Sequence, residues 1–203
     1  EPSLVIPARI DGYPVKVIGK RAFSGSEIRE IYVEDGITVI EDEAFKNCRK
    51  MTAVRLPETL TETGNHVFEN CICLTEISLP ASIRKMGNAA FIHCLSLSRA
   101  SIADGIQSLG ESTFLECCSL EEIELPDSIR IISFSMFWHC RSLKRVTAGA
   151  QTEIIARDAF RGCDSLTALS IPSCIRSVGK NAFGGTPLET KDPDGICIIS
   201  GKI

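Results

Sequence analysis

Apolar residues return along this chain in a fixed order every 22 or 23 positions. Phenylalanine stands at 23, 45, 68, 91, 114, 137, 160 and 183. After Phe91 come Cys94, Leu97, Ala100, Ile102 and Ile106. After Phe68 come Cys71, Leu74, Ile77, Leu79, Pro80 and Ile83, and after Phe114 come Cys117, Leu120, Ile123, Leu125, Pro126 and Ile129. The shared pattern is A-F-x-x-C-x-x-L-x-x-I-x-L-P-x-x-I-x-x-I-G. A residue type that recurs at one offset in six or more units meets the same surroundings in each. That is the condition of a solenoid, whose coils bury their apolar faces only against neighbouring coils.

The pattern also predicts local elements. Glu76-Ile77-Ser78-Leu79 alternates polar and apolar, which predicts a short strand with one buried face. Pro80 ends it, having no amide hydrogen to give a ladder. Ile83 to Met86 suits a second short extended piece, Gly87 a turn, and Asn88 to Cys94 one helical turn with Phe91 pointing inward. Coils stack at about 4.8 Å where strands pair. The expectation is therefore one elongated domain, an α/β repeat solenoid of seven to eight 22–23-residue coils. Short parallel strands form its concave sheet, with short helical turns or extended pieces elsewhere.

Breaks in the repeat mark the ends. The step from proline to the next phenylalanine is 11 from Pro57, Pro80, Pro126 and Pro172, but 16 from Pro7 to Phe23. The surplus contains Asp11-Gly12-Tyr13-Pro14, a turn composition that predicts an inserted hairpin. Residues 1–22 are read as an N-terminal cap carrying that hairpin, 23–188 as the repeats, and 189–203 as a truncated C-terminal capping segment. In that last segment 191–195 reads as a turn and 196–199 as a strand. Its Asp-x-Asp-Gly lacks the later ligands of a calcium loop. The chain opens mid-repeat with Leu4-Val5-Ile6-Pro7 and without methionine, as expected of a processed product or an excised fragment.

The signature L-x-x-L-x-L, joined to the A-F-x-x-C block and with proline in place of the commoner asparagine, resembles the BspA-like class of bacterial leucine-rich repeats. The likeness runs from about residue 4 to 188. It implies a bacterial cell-surface or secreted protein, and for some members adhesion to host matrix or to other cells. It implies no catalytic residues.

Charge and cysteine usage refine this. A net charge of −4 and the lack of any basic run argue against nucleic acid as partner. No apolar run approaches the length of a membrane span. There is no G-x-S-x-G elbow, no Gly-rich phosphate loop and no H-E-x-x-H, so no catalytic residue, cofactor or metal is predicted. Ten cysteines would suggest disulfides in a secreted protein. Six of them (Cys48, Cys71, Cys94, Cys117, Cys140, Cys163) share one repeat position, and parallel side chains are poorly set for bridging. They read as a buried row of free thiols whose S–H groups reach backbone carbonyls. Such a row suits an anaerobic source or a reducing compartment.

Three outward rows remain. On the strands, one column reads Glu30, Ala53, Glu76, Arg99, Glu122, Arg145, Ala168, and the other Tyr32, Arg55, Ser78, Ser101, Glu124, Thr147, Ser170. The alternation of sign from Glu76 to Arg145 predicts a self-compensating charge row. Read instead as a docking face for a protein partner, it offers Tyr32, Arg55, Glu76, Arg99, Glu122, Glu124 and Arg145. The alternative role is a spacer that holds other domains apart without a ligand. A monomer is expected. Two residues after each phenylalanine lie Asn47, Asn70, His93, Glu116, His139 and Gly162. Because the two histidines are two coils apart, His93-Glu116-His139 reads as a solvated ion-pair row, not a zinc site. Trp138, the sole tryptophan, falls on the turn ridge and is expected to be partly exposed.

Overall fold

The computed structural model describes residues 3–191 and 197–199. The eight phenylalanines form a single file. Consecutive rings lie 5.4–5.6 Å apart and within 13° of parallel, from Phe23 through Phe183. Seven of them, from Phe45 to Phe183, are essentially inaccessible to solvent. Each offset stack adds roughly 0.5–1.5 kcal/mol beyond the area it buries. Leu74, Leu97, Leu120, Leu143 and Leu166 form a second buried file, and the thiol row a third.

Each coil has three sides. The first carries the strands Glu30–Val33, Ala53–Arg55, Glu76–Leu79, Arg99–Ile102, Glu122–Glu124, Arg145–Thr147 and Ala168–Ser170, with Ser3–Ile6 ahead of them. They run parallel with like facing like: Ala100 pairs with Ile77, and Ile102 with Leu79. The second side carries shorter parallel pieces, such as Val39–Ile40 and Ile154–Ile155. The third side is the turn that holds the phenylalanine.

That turn is not helical, which corrects the α/β expectation: the described residues contain no helix, and the body is a parallel-strand β-solenoid of about eight turns. The reason lies in the backbone. Residues two before and two after each buried phenylalanine adopt left-handed φ, as at Ala89 (φ 55) and His93 (φ 59), or Ser112 (φ 55) and Glu116 (φ 57). Alternate amides consequently point along the solenoid. Phe91 N–H donates to Thr113 O of the next coil at 2.9 Å, and His93 N–H to Leu115 O at 2.9 Å. Between them, Ile92 N–H closes onto Ala89 O within its own coil, as Cys94 N–H does onto Phe91 O after them. Amides given to the neighbouring coil cannot build an i→i−4 helix.

The inserted hairpin forms as the composition predicts. Arg9–Ile10 pairs antiparallel with Tyr13–Pro14, and both turn residues, Asp11 (φ 50) and Gly12 (φ 83), have the positive φ of a tight hairpin turn. Ile10 and Tyr13 point into solvent. At the far end Glu189–Lys191 pairs antiparallel with Cys197–Ile199, so a strand does form where 196–199 suggested one. The turn read at 191–195 lies, from 192 onward, outside the described residues.

The first-side sheet is not continuous. Its ladders are 3–55, 76–102 and 122–170. At the first break the second side still connects through the Glu62–Lys85 bridge. Between the 99–108 and 122–132 coils neither side carries a strand ladder. Serine hydroxyls cross that joint instead: Ser119 Oγ donates to Leu95 O at 2.7 Å, Ser128 Oγ to Ile106 O at 2.7 Å, and Ser133 Oγ to Gly110 O at 2.9 Å.

Candidate docking surfaces

The short strands expose every second residue, and parallel register aligns those residues from coil to coil. Glu76 lies opposite Arg99, and Glu122 opposite Arg145. Of the seven residues singled out on this face, Arg55, Glu76 and Arg99 line one open depression of about 390 Å³. Arg99, Glu122, Glu124 and Arg145 line a second of about 780 Å³, together with Asp104 and Asp127. Tyr32 stands beside them with the Arg55 guanidinium 5.1 Å over its ring. The two depressions share Arg99 and coincide with the two breaks in the strand ladder.

The charges on this face do not compensate one another as the alternation predicted. Among the described residues, Glu76, Arg99, Glu122, Glu124 and Arg145 make no ion pair or side-chain hydrogen bond. Charges on the other sides do pair across coils. Lys144 meets Glu121 at 2.9 Å, Arg130 and Arg176 share Glu153 at 3.1 and 3.3 Å, Lys46 meets Glu69 at 2.9 Å, and Arg21 meets Glu43 at 2.8 Å. An exposed pair such as Lys144–Glu121 contributes little, about 0–1 kcal/mol. On the strand face, by contrast, five charges gather around the two depressions without a pair.

The six row thiols are free and buried. Each donates to the carbonyl of the phenylalanine of the preceding coil at 3.0–3.2 Å, from Cys48 to Phe23 through Cys163 to Phe137. Burial pushes the Cys94 and Cys163 thiols up to about 12, and raises Cys117 and Cys140. Cys48 and Cys71 act as a pair, in which a bond from Cys71 favours the Cys48 thiolate while the same bond and burial hold the Cys71 proton.

The row two residues after the phenylalanines splits. Asn70 Nδ2 donates to Asn47 Oδ1 at 3.0 Å, and His93 Nε2 lies 3.6 Å from Glu116 Oε2. Glu116 pairs with His93 and not with His139, so the expected three-residue ion-pair row does not form. The His139 ring meets Trp138 edge-on at 5.6 Å and covers Gly162, where an added Cβ would come within 2.6 Å of His139 Cδ2. The described residues contain no group of three side chains arranged for a metal ion.

One cluster escaped sequence reasoning. Half-buried Trp138 has Arg161 5.6 Å over its ring, Phe134 has Arg157 at 6.0 Å, and both guanidiniums hold the buried carboxylate of Asp158 at 3.4 and 2.8 Å. The signal was available in the columns. Phe134 stands where earlier coils have Asp42, Asn65, Asn88 and Glu111, and Trp138 where they have Lys46, Glu69, Ile92 and Leu115.

No helix among the described residues is long and apolar enough to cross a membrane. No curated protein matches the chain. Among solved structures, a leucine-rich repeat protein of T. pallidum aligns at 27% identity over 87% of this chain and 72% of its own, with TM-score 0.63. A leucine-rich repeat protein of Bacteroides ovatus aligns at 22% identity over 90% of this chain, with TM-score 0.67. A leucine-rich cell surface protein of Faecalibacterium prausnitzii aligns at 22% over 100%, with TM-score 0.66. The chain spans 58% and 55% of the last two. Residues 16–144 and 87–192 match, in six copies, the family described as BspA type leucine rich repeat region. The stacked phenylalanines, the thiol row and this match together place the chain in the BspA-type leucine-rich repeat family.

Proposed function

We propose that the chain is a non-catalytic protein-interaction module whose first strand side is the docking face, with Tyr32, Arg55, Glu76, Arg99, Glu122, Glu124 and Arg145 as its contact residues. The observation that carries this reading is the grouping of five unpaired charges, Glu76, Arg99, Glu122, Glu124 and Arg145, around two depressions on that face. A free Arg or Glu can be matched by a partner without first breaking an existing pair, and matched charges give specificity and association rate. The open, polar character of the face does not suit the enclosed apolar cleft typical of small-molecule sites. Repeat solenoids commonly bind along such extended surfaces.

The family, whose members are typically cell-surface or secreted bacterial proteins, supports an adhesive role at a bacterial surface. The free thiol row favours an anaerobic or reducing setting. A pull-down against purified host-matrix and bacterial surface proteins tests the reading, with Arg55→Ala plus Arg99→Ala as the comparison. Capture by the parent and its loss in the double variant supports this face. Equal capture by both refutes it, and no capture at all favours the spacer role.

A further inference from the structure

We infer that the turn ridge around Trp138 is a second docking surface, and that its occupant is an acidic protein segment. That segment sets a carboxylate against Arg157 and Arg161 and an apolar side chain against Phe134 and Trp138.

The inference starts from a structural function given up. In earlier coils the position of Phe134 carries a side chain that binds the next coil. Asp42 Oδ1 accepts from Asn65 N–H at 2.8 Å, Asn65 Oδ1 from Asn88 N–H at 2.8 Å, and Asn88 Oδ1 from Glu111 N–H at 2.9 Å. A phenylalanine there cannot accept. Nor does it join the core, since it is 36% exposed. The solenoid thus gains neither a ladder bond nor a buried ring from Phe134, and the same holds in part for half-buried Trp138.

The cations beside these rings are preorganised. Each guanidinium is fixed from two directions, by an aromatic face and by one oxygen of Asp158, which is itself only 3% exposed. One carboxylate neutralises one of the two, so a positive charge is left over. Exposed Lys180, next along the column from Arg157, adds another. Their side chains remain open, at 65% for Arg157 and 45% for Arg161, so N–H edges face solvent. A rigid planar fork suits a carboxylate bidentately. Guanidiniums alone would serve any anion, but the exposed Phe134 ring and the half-buried Trp138 ring beside them ask for apolar contact as well. Trp and Arg clustered in this way are the residues on which protein interfaces concentrate their affinity.

Short random peptides displayed on phage are selected on the intact protein, and the enriched sequences are synthesised. Trp138 is the sole tryptophan, so its emission reports binding at this ridge directly. Arg161→Gln leaves Arg157 to satisfy Asp158, and Phe134→Ser removes an exposed ring; unchanged melting temperatures show that both variants fold. The expected result is enrichment of Asp or Glu beside Leu, Phe or Met, and a shift of Trp138 emission on binding. Either variant should bind about tenfold more weakly, while Arg55→Ala plus Arg99→Ala binds as the parent does. Several results would overturn the proposal: no enriched peptide, enrichment without acidic residues, or binding that survives both ridge variants. A Trp138 response to heparin in place of the acidic peptide would overturn it too.

Discussion

The thiol of Cys94 donates to the carbonyl oxygen of Phe68 at 3.2 Å, and that same oxygen accepts Cys71 N–H at 3.2 Å. Two successive coils are therefore joined at one acceptor in the centre of the core. Cys94→Ala removes the sulfur from a fully buried site while Phe68 O keeps its amide partner. The cost is then mostly lost packing, about 1–2 kcal/mol. Cys73→Ala, at a half-buried position outside the row, should stay within about 0.5 kcal/mol of the parent. Urea unfolding of the two variants checks the contrast, and equal losses would mean that the row has no special place in the core.

The thiols held protonated in the core make stability fall at high pH. Cys94 and Cys163 are held up to about 12 in the fold, against the usual thiol range near 9 in the unfolded chain. A raised folded value means that the native state keeps protons which the unfolded state releases. The share of stability that these two thiols contribute is whole below about pH 9 and falls as pH climbs toward 12, by on the order of 1.4 kcal/mol per pH unit for each. Cys48, lowered to about 6 in the fold, acts in the opposite sense between pH 6 and 9. Cys117 and Cys140 are raised too and add to the slope. Denaturant midpoints measured between pH 8 and 11 should fall progressively; a flat profile would contradict the buried row. Native alkylation at neutral pH should reach Cys73, Cys118 and Cys174 first, since these are partly exposed.

What the sequence made legible follows from what a repeat averages. The phenylalanine file, the leucine file and the thiol row each arise from one residue type in one environment, so spacing alone located them. Strand positions such as 76–79 were readable for the same reason. The turn was misread as helical because A-F-x-x-C has acceptable helix formers, and single-residue propensity does not show that His93 and Glu116 adopt left-handed φ. That conformation is imposed by the next coil, whose carbonyls take the amides. The free charges of the strand face were equally hidden. Glu76 and Arg99 are register neighbours in sequence and in space, yet long side chains at one register position need not meet. The Phe134–Arg157 cluster could have been found by looking for departures from a column instead of agreement with it.

Phe114 stacks on Phe91 at 5.5 Å and on Phe137 at 5.6 Å, so its loss breaks the file on both sides. Phe114→Ala should cost about 3–5 kcal/mol. In a nearest-neighbour solenoid the loss is local, so the two halves should begin to unfold apart. Calorimetry is expected to show one transition for the parent and two, or one markedly broadened, for the variant. A single sharp transition displaced by less than about 1 kcal/mol would show that the rings are not the spine.

The joint between the 99–108 and 122–132 coils is where the body should open first. Both strand sides lack a ladder there, while the turn side stays tied by Phe91 N–H to Thr113 O at 2.9 Å. Opening on two sides of three, with the third intact, amounts to a pivot about the phenylalanine file. Amides of residues 122–124, which have no ladder partner on the preceding coil, should exchange with deuterium faster than those of 145–147, which are paired to 122–124 and followed by 168–170. Ser128→Ala removes a hydroxyl bridge across the joint and should speed exchange at 122–124 further without affecting 30–33. Protection as strong at 122–124 as at 145–147, in the parent and in Ser128→Ala alike, would show that the serine bridges hold the joint as firmly as a backbone ladder holds its neighbours.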